Sequence, residues 1–336
     1  MKILITADPF IPVPPIHYGG IERILDMIIR EYVKLGHDVT LIAHPDSKPA
    51  EGCRFIPYAS DKDSILANSI LITKAYFKYR FDIIHSFSRL MYLLPLMPLG
   101  VPKIMSYQRE PSLNQISKAV KLSKKGSIAF AGCSDYISNQ IATVGDAYTV
   151  YNGVPIDQFT FNANVSEDAP LVFLGRIEEI KGTHIAIEVA KRTNKKLIIA
   201  GNIPQEHQSY FDLKVKPFLS DSIQYIGPVD DQQKNTLLQN ASAFLMPILW
   251  NEPFGIVMAE AMACGTPVIG FNRGSVPEVV SNNKTGYVCE SIEDMCSAVE
   301  NISNIARDDV RNAVVVRFSG EVISNNYIDL YKKRIL

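Results

Sequence analysis

The chain has 336 residues, 47% of them hydrophobic and 21% charged, with a formal net charge of −1. That length is about twice a common domain, so two domains with ample apolar cores are expected. Nothing in the balanced charge suggests a protein that works by neutralising nucleic-acid phosphates, and the five cysteines (Cys53, Cys133, Cys264, Cys289 and Cys296) show no CxxC or Cys/His pairing that would encode a zinc site or a disulfide framework.

The opening "MKILITADPF" lacks the apolar core and cleavage site of a signal peptide. The most apolar run, "LMYLLPLMPLGVP" from Leu90, is too short to span a bilayer and is interrupted by prolines. A reduced cytoplasmic protein is the expected reading.

In chain order, "KILITAD" reads as a strand, followed by a proline-rich loop that ends in Gly19-Gly20. Ile21, Ile24, Leu25, Ile28, Ile29, Tyr32 and Val33 then recur at spacings of three and four, one face of an amphipathic helix that Gly36 stops. "HDVTLIAH", "FDIIHSF", "PKIMSYQ", "SIAFAGCS" and "AYTVYNGV" are further apolar strands, most of them separated by helical stretches. The polar "DQFTFNANVSEDAP" is the expected linker. A second series follows: "PLVFLGRI", "KLIIAG", "SIQYIGPV", "AFLMPIL", "TPVIGF" and "TGYVCE". Strands alternating with helices predict parallel, doubly wound α/β sheets, hence two Rossmann-like domains, with ligands beyond the carboxyl ends of the strands and a site expected in the cleft between the two.

Several short motifs carry chemistry. Gly19-Gly20-Ile21-Glu22 joins a loop to a helix start, where bare N–H groups can receive phosphate and glycine permits close approach; a sharp loop exit is the plain alternative. The Rossmann GxGxxG spacing and the GKS/T phosphate loop are both absent, so neither nicotinamide nor flavin is indicated. "GRIEEIKG" places Arg176 and Lys181 just after a strand, two cations suited to a diphosphate, although Glu178 and Glu179 stand between them as ready partners. "NEPFGIVMAEAMACGTPVIG" sets Glu252 in a loop, because Pro253 disfavours helical geometry there, and Glu260 inside the helix expected to start around Phe254 to Ile256. The helix dipole accounts for Glu252 better than for Glu260, whose carboxylate suits a diol such as a ribose. Asp61-Lys62-Asp63 has a D-x-D spacing that could hold a divalent metal, but a helix cap is the commoner use. His85 stands at a strand end and could face a ligand, where a structural histidine is the plain alternative. Two basic stretches with apolar neighbours, "TKAYFKYRF" (Lys74, Lys78, Arg80) and "ISKAVKLSKKG" (Lys118, Lys121, Lys124, Lys125), fit either the surface of an anionic membrane or a solvated helix face.

Taken together, "GRIEEIKG" and "NEPFGIVMAEAMACGTPVIGFNRGSVPEVV" resemble the family 4 retaining glycosyltransferases of the GT-B fold, whose signature is the E-x7-E spacing of Glu252 and Glu260. "YGGIERILDMIIREYVKLGHDVTLIA", "YNGVPIDQF" and "FSGEVISNNYIDLYKK" extend the likeness nearly end to end. The resemblance implies an acceptor-side domain over residues 1–158, a nucleotide-sugar domain over 159–319, and a last helix, about 320–336, that packs back on the first. It implies a metal-independent hexosyltransferase that needs no cofactor beyond the nucleotide-sugar co-substrate. The acceptor would be a glycan, a lipid-linked molecule or a small molecule, met in the cytoplasm or at the inner face of a membrane.

By the same resemblance, Arg176 and Lys181 neutralise the diphosphate and Glu260 binds the ribose. Glu252 and the N–H groups of Phe254, Gly255 and Ile256 hold the sugar and distal phosphate. Gly20 lets the N-terminal loop close on that phosphate, and the strand ends near Gly201 and Val229 face the base. Many relatives carry a histidine near the end of the strand that corresponds to "KIMSYQRE"; here Tyr107, Gln108 and Arg109 stand there, and His85 or His17 could take its place. Two further readings stay open at this level: a GT-B nucleotide-sugar epimerase, which needs no acceptor, and a non-catalytic nucleotide-sugar binder.

Overall fold

The computed structural model describes residues 1–16, 19–59, 62 and 64–335. The chain forms two compact units, Met1–Gly153 with Gly320–Leu336, and Val154–Ser319.

The first unit contains β1 (Lys2–Thr6), α1 (Gly20–Lys34), β2 (Asp38–Ala43), β3 (Arg54–Pro57), α2 (Ile65–Tyr79), β4 (Ile83–Ser86), β5 (Lys103–Tyr107), α3 (Leu113–Leu122), β6 (Ile128–Gly132), α4 (Asp135–Ala142) and β7 (Ala147–Thr149). Its seven-stranded sheet runs β3-β2-β1-β4-β5-β6-β7, with every pair parallel. The expected amphipathic face of α1 is the buried one: Ile24, Leu25, Ile28, Ile29 and Tyr32 are all inside. β4, β5 and β6 are buried along their whole length, as strands covered on both faces must be.

The second unit contains β8 (Leu171–Leu174), α5 (Thr183–Arg192), β9 (Leu197–Ala200), α6 (Gln208–Lys214), β10 (Ile223–Tyr225), α7 (Asp231–Gln239), β11 (Ala243–Met246), α8 (Ile256–Ala263), β12 (Val268–Phe271), α9 (Val276–Val279), β13 (Gly286–Cys289), α10 (Ile292–Glu300) and α11 (Arg307–Phe318). Its six-stranded parallel sheet has the order β10-β9-β8-β11-β12-β13. Leu171, Phe173, Leu197, Ile199, Leu245 and Ile269 pack with Ile185, Val189 and Met295 into its core.

The polar segment expected as a linker belongs to this second unit. Arg307 Nε donates to the Asn162 carbonyl at 2.6 Å, Arg311 Nη1 to the Phe159 carbonyl at 3.0 Å, and the Thr160 N–H to Asn235 Oδ1 at 2.9 Å. Its polarity reflects backbone groups satisfied by side chains rather than a free tether. The chain changes unit at Gly153, upstream of the expected residue 158, and again at Gly320, where α12 (Gly320–Ile335) begins. A Cβ on Gly320 would come within 2.8 Å of Met27 Cγ, and Tyr32 Oη donates to Tyr331 Oη at 2.9 Å, so α12 lies against α1. Among the described residues no helix is long and apolar enough to cross a membrane.

Candidate active site

In an open parallel sheet the order reverses at one point, and ligands collect beyond the carboxyl ends of the strands there. In the second unit that point lies between β8 and β11, which pair with Ala243 opposite Leu171 and Phe244 opposite Val172. Both predicted motifs leave the sheet at this place. Gly175-Arg176 follows β8, and the loop to α8 follows β11.

The two loops are clamped together. Gly182 adopts φ 74°, and a Cβ there would sit 1.9 Å from the Pro247 carbonyl oxygen, so only glycine lets the β8 loop touch the β11 loop. The Leu249 N–H donates to the Ile180 carbonyl at 2.8 Å beside it. This contact brings Lys181 Nζ to 2.9 Å from Glu252 Oε2 and to 4.6 Å from the centre of the Trp250 ring, while Trp250 Nε1 donates to the same carboxylate oxygen at 3.1 Å. Glu252 is held from behind. The Ser275 N–H donates to its carbonyl at 2.9 Å, and a Cβ on Gly274 (φ 56°) would fall 2.5 Å from its nitrogen. Gly255, with φ 70°, then turns the chain into α8, which starts at Ile256, at the edge of the expected range. Phe254 is buried, and its ring packs edge-on to Phe318 at 5.6 Å.

Glu260 lies inside α8 among Met258, Ala259, Ala261, Met262 and Ala263, all buried, and is itself only 5% exposed. Such a charge needs a partner. Lys234, in the first turn of α7, supplies it: Nζ lies 2.6 Å from Glu260 Oε1, 3.4 Å from Asp231 Oδ1 and 5.6 Å from the centre of the Phe159 ring. Lys234 was not visible as a site residue in the sequence, because nothing links residue 234 to residue 260 until the helices pack. Trp250 was missed for a different reason; it adjoins the E-x7-E motif and could have been read as part of it.

Arg176 takes the partner that the sequence offered. Its Nη2 lies 2.9 Å from Glu178 Oε1, and His207 Nε2 lies 3.4 Å from the other oxygen of that buried carboxylate. Both cations that could hold a diphosphate are thus already paired with carboxylates. Arg176, Lys181 and Lys234 each face a carboxylate, so a bound anion must share or displace Glu178 or Glu252. Gly201, with φ 146°, forms a tight floor at the end of β9, where a Cβ would meet the Gly175 carbonyl oxygen at 1.7 Å; Val229 is half-buried beyond β10.

In the first unit, α1 starts at Gly20, and a Cβ there would meet no atom within 4 Å. Gly19 is the crowded member of the pair: its Cβ would meet Pro15 Cβ at 2.7 Å and Glu22 Oε2 at 2.9 Å. Burial raises the pKa of the Glu22 carboxyl, with Asp8 adding to the effect against a backbone hydrogen bond that lowers it. At the end of β5, Tyr107 is buried, which lifts its hydroxyl to about 12, and Arg109 is exposed. Gln108 Oε1 accepts from Asn152 Nδ2 at 2.7 Å, while Gln108 Nε2 and Asn152 Oδ1 are buried with no protein partner among the described residues. His17, Asp61 and Asp63 lie outside the described residues.

His85 does not face a ligand. It is fully buried, with Nδ1 against Tyr331 Oη and Nε2 2.7 Å from Ser106 Oγ, which in turn lies 3.1 Å from Tyr327 Oη. These bonds tie β4 and β5 to α12. Burial alone lowers its pKa to about 3. Unfolded, the same imidazole takes a proton near pH 6.5. The native state therefore binds fewer protons between these values, and its stability falls as pH drops below 6.5. We expect this one group to cost about 2 kcal/mol between pH 7.5 and pH 5. Urea denaturation at the two pH values checks this, and a His85→Gln chain that loses as much stability on acidification would remove His85 as the cause.

Two family models cover most of the chain: Glycosyltransferase Family 4 over residues 18–158, and Glycosyl transferases group 1 over residues 156–317. Among curated proteins the chain is similar to spore coat protein SA of Bacillus subtilis, at 24% identity over 99% of this chain and 100% of that one. It is similar also to glycogen synthase of Mycobacterium tuberculosis, at 24% identity over 90% and 86%. Among solved structures it superimposes on AviGT4, a glycosyltransferase involved in avilamycin A biosynthesis, with a TM-score of 0.79 at 23% identity over 99% and 98% of the two chains. Anabaena Alr3699/HepE in complex with UDP and glucose gives a TM-score of 0.71 at 17% identity over 99% and 100%. With its two parallel-sheet units, the clustered E-x7-E segment and both halves matched, the chain belongs to the family 4 glycosyltransferases and has the GT-B α/β fold.

Proposed function

We propose that this glycosyltransferase takes a hexose from a nucleotide-sugar and passes it, with retention at the anomeric carbon, to a hydroxyl of a glycan, a lipid-linked molecule or a small molecule, without a metal. The observation that carries this reading is the placement of the two glutamates on either side of the start of α8, Glu252 beside Lys181 and Glu260 beside Lys234. The complex of HepE with UDP and glucose supports the choice of donor class.

In this reading the diphosphate lies over the first turn of α8, whose unpaired N–H groups and dipole favour an anion. Lys181 and Arg176 add positive charge, sharing it with Glu252 and Glu178. Glu260 Oε2 faces the ribose diol, while Lys234 keeps Oε1. The bond between the anomeric carbon and the phosphate oxygen breaks, and its electron pair goes to the diphosphate. The acceptor hydroxyl attacks from the same face, and its proton passes to the departing phosphate oxygen. Fixed charges aimed at the developing anion lower the barrier with no reorganisation at the moment of reaction. Gln108 and Asn152 offer one free amide donor and one free acceptor, a pair that a sugar hydroxyl would satisfy together; this makes Gln108 the strongest of the residues proposed to stand in for the family histidine.

A thermal-shift screen of UDP, GDP and ADP and their sugars tests the donor reading, since a ligand that binds only the native state raises the melting temperature by mass action. A shift with at least one nucleoside diphosphate and turnover unchanged in EDTA are the expected results. The absence of any shift would sink the donor reading, and EDTA inhibition reversed by manganese would return Asp61 and Asp63 to the site.

A further inference from the structure

Trp250 is the chain's one tryptophan, and its indole meets two charges. The aromatic that packs this loop is Phe254, which is buried against Phe318, whereas Trp250 is half-buried. Its place is set by the clamp between the β8 and β11 loops. The hydrogen bond from the Leu249 N–H to the Ile180 carbonyl joins the residue before Trp250 to the residue before Lys181. One backbone bond therefore fixes the indole and the ammonium relative to each other.

The side chains then close on a single oxygen. Lys181 Nζ and Trp250 Nε1 both donate to Glu252 Oε2, at 2.9 and 3.1 Å, and the same Nζ stands 4.6 Å from the centre of the indole ring. The side chains of Lys181 and Glu252 are 18% and 12% exposed, so neither charge is well hydrated.

The pairing sets up a conflict. A carboxylate that neutralises Lys181 also competes with any anion that Lys181 is to serve. When the ammonium turns to another oxygen, Oε2 loses a charge-assisted bond in a poorly hydrated place, a loss that ordinarily keeps such a pair closed. Trp250 answers both halves of the conflict. Its N–H stays on Oε2, so the carboxylate keeps a donor and remains ionised. Its π face attracts the ammonium through the ring quadrupole, which demands no particular N–H direction and carries no net charge to compete with an anion. The ammonium can then pivot over the ring while its N–H groups change partners, which an aliphatic side chain or a second carboxylate would not allow.

Resting on the donor reading above, we propose that Trp250 is a positioning residue for the leaving group. Its ring holds the Lys181 ammonium as it turns from Glu252 to the diphosphate, and its Nε1–H keeps the carboxylate oxygen that the lysine gives up. Neither role needs Trp250 to touch the donor. The indole between the two charges makes their pairing reversible.

A single tryptophan gives a single indole N–H resonance, which needs no assignment. In the ¹⁵N-labelled full chain that proton should move downfield on addition of UDP, GDP or ADP, whichever raises the melting temperature, because Oε2 then bonds to it without sharing. The free nucleotide carries the charge that the leaving group acquires, so its affinity reads the developed anion. In calorimetry Trp250→Phe, which keeps a ring face and removes the N–H, should bind that nucleotide about tenfold more weakly. Trp250→Leu, which removes the face as well, should lose about a further threefold. In a Lys181→Ala chain Trp250→Phe and Trp250→Leu should give equal affinities, since no ammonium is left to hold; a ring that only packs would keep its effect there. An indole resonance unmoved at saturating nucleotide, or a difference between the two variants that persists without Lys181, overturns the proposal. If no nucleotide binds, the donor reading falls and this one with it; if one binds and the indole does not respond, only the role of Trp250 falls.

Discussion

Glu260→Ala is expected to weaken binding of the nucleoside diphosphate by about 10- to 150-fold, the roughly 1.5–3 kcal/mol carried by hydrogen bonds to a charged group. The carboxylate cannot serve as a surface charge, since α8 is buried around it and one oxygen is already held by Lys234 at 2.6 Å. In the proposed reading its other oxygen is the one that meets the ribose. The substitution also takes the buried partner from Lys234, only 14% exposed along its side chain, leaving it the exposed Asp231 at 3.4 Å, and this should cost about 1–3 kcal/mol of stability. The two effects separate by design. In a double-mutant cycle, Lys234→Ala added to Glu260→Ala should return part of the lost stability, because the poorly compensated buried ammonium is gone, while donor binding stays weak. Calorimetry with a ribonucleoside diphosphate and its 2′,3′-dideoxy analogue supplies the specific readout: the parent should prefer the ribose form and Glu260→Ala should not. Equal preference in both proteins would end the ribose assignment.

Lys181→Ala should lower kcat by about 10²- to 10³-fold, the usual loss when one preorganised group is removed from a developing oxyanion. Its ground-state effect on donor affinity should be smaller, because the diphosphate gains charge as the anomeric bond breaks. Glu252 complicates the measurement. With Lys181 gone, a carboxylate held by Trp250 Nε1 at 3.1 Å is left facing the phosphates without its cation. The double variant Lys181→Ala, Glu252→Gln removes that repulsion while keeping the side-chain volume. If it remained as slow as the single variant, the loss would belong to the lysine; if it recovered the parent rate, leaving-group stabilisation by Lys181 would be refuted.

Much of the architecture was legible because it rests on short-range patterning. All six strands expected in the second unit are present, and α1 buries the apolar face that its spacing predicted. In the first unit β3 joins the sheet with only four residues, two half-buried ones between two exposed ends, a short segment that "RFIPYAS" still shows as strand-like. The supposed linker misled. Its polar residues read as solvent-facing, but Arg307 and Arg311, far along the chain, bind its carbonyls. His85 was placed correctly at a strand end, yet the layer that covers it comes from α12, more than two hundred residues later, so its burial had no local sign.

The sequence by itself determined the strand and helix succession, the family, and the motif residues Arg176, Lys181, Glu252 and Glu260, because periodicity and E-x7-E spacing are properties of neighbouring residues. Only the tertiary structure decided what those charges face. Lys234 meets Glu260, Glu178 takes Arg176, and Gly182 and Gly274 press two loops around Glu252, each across a gap in sequence that no local rule bridges.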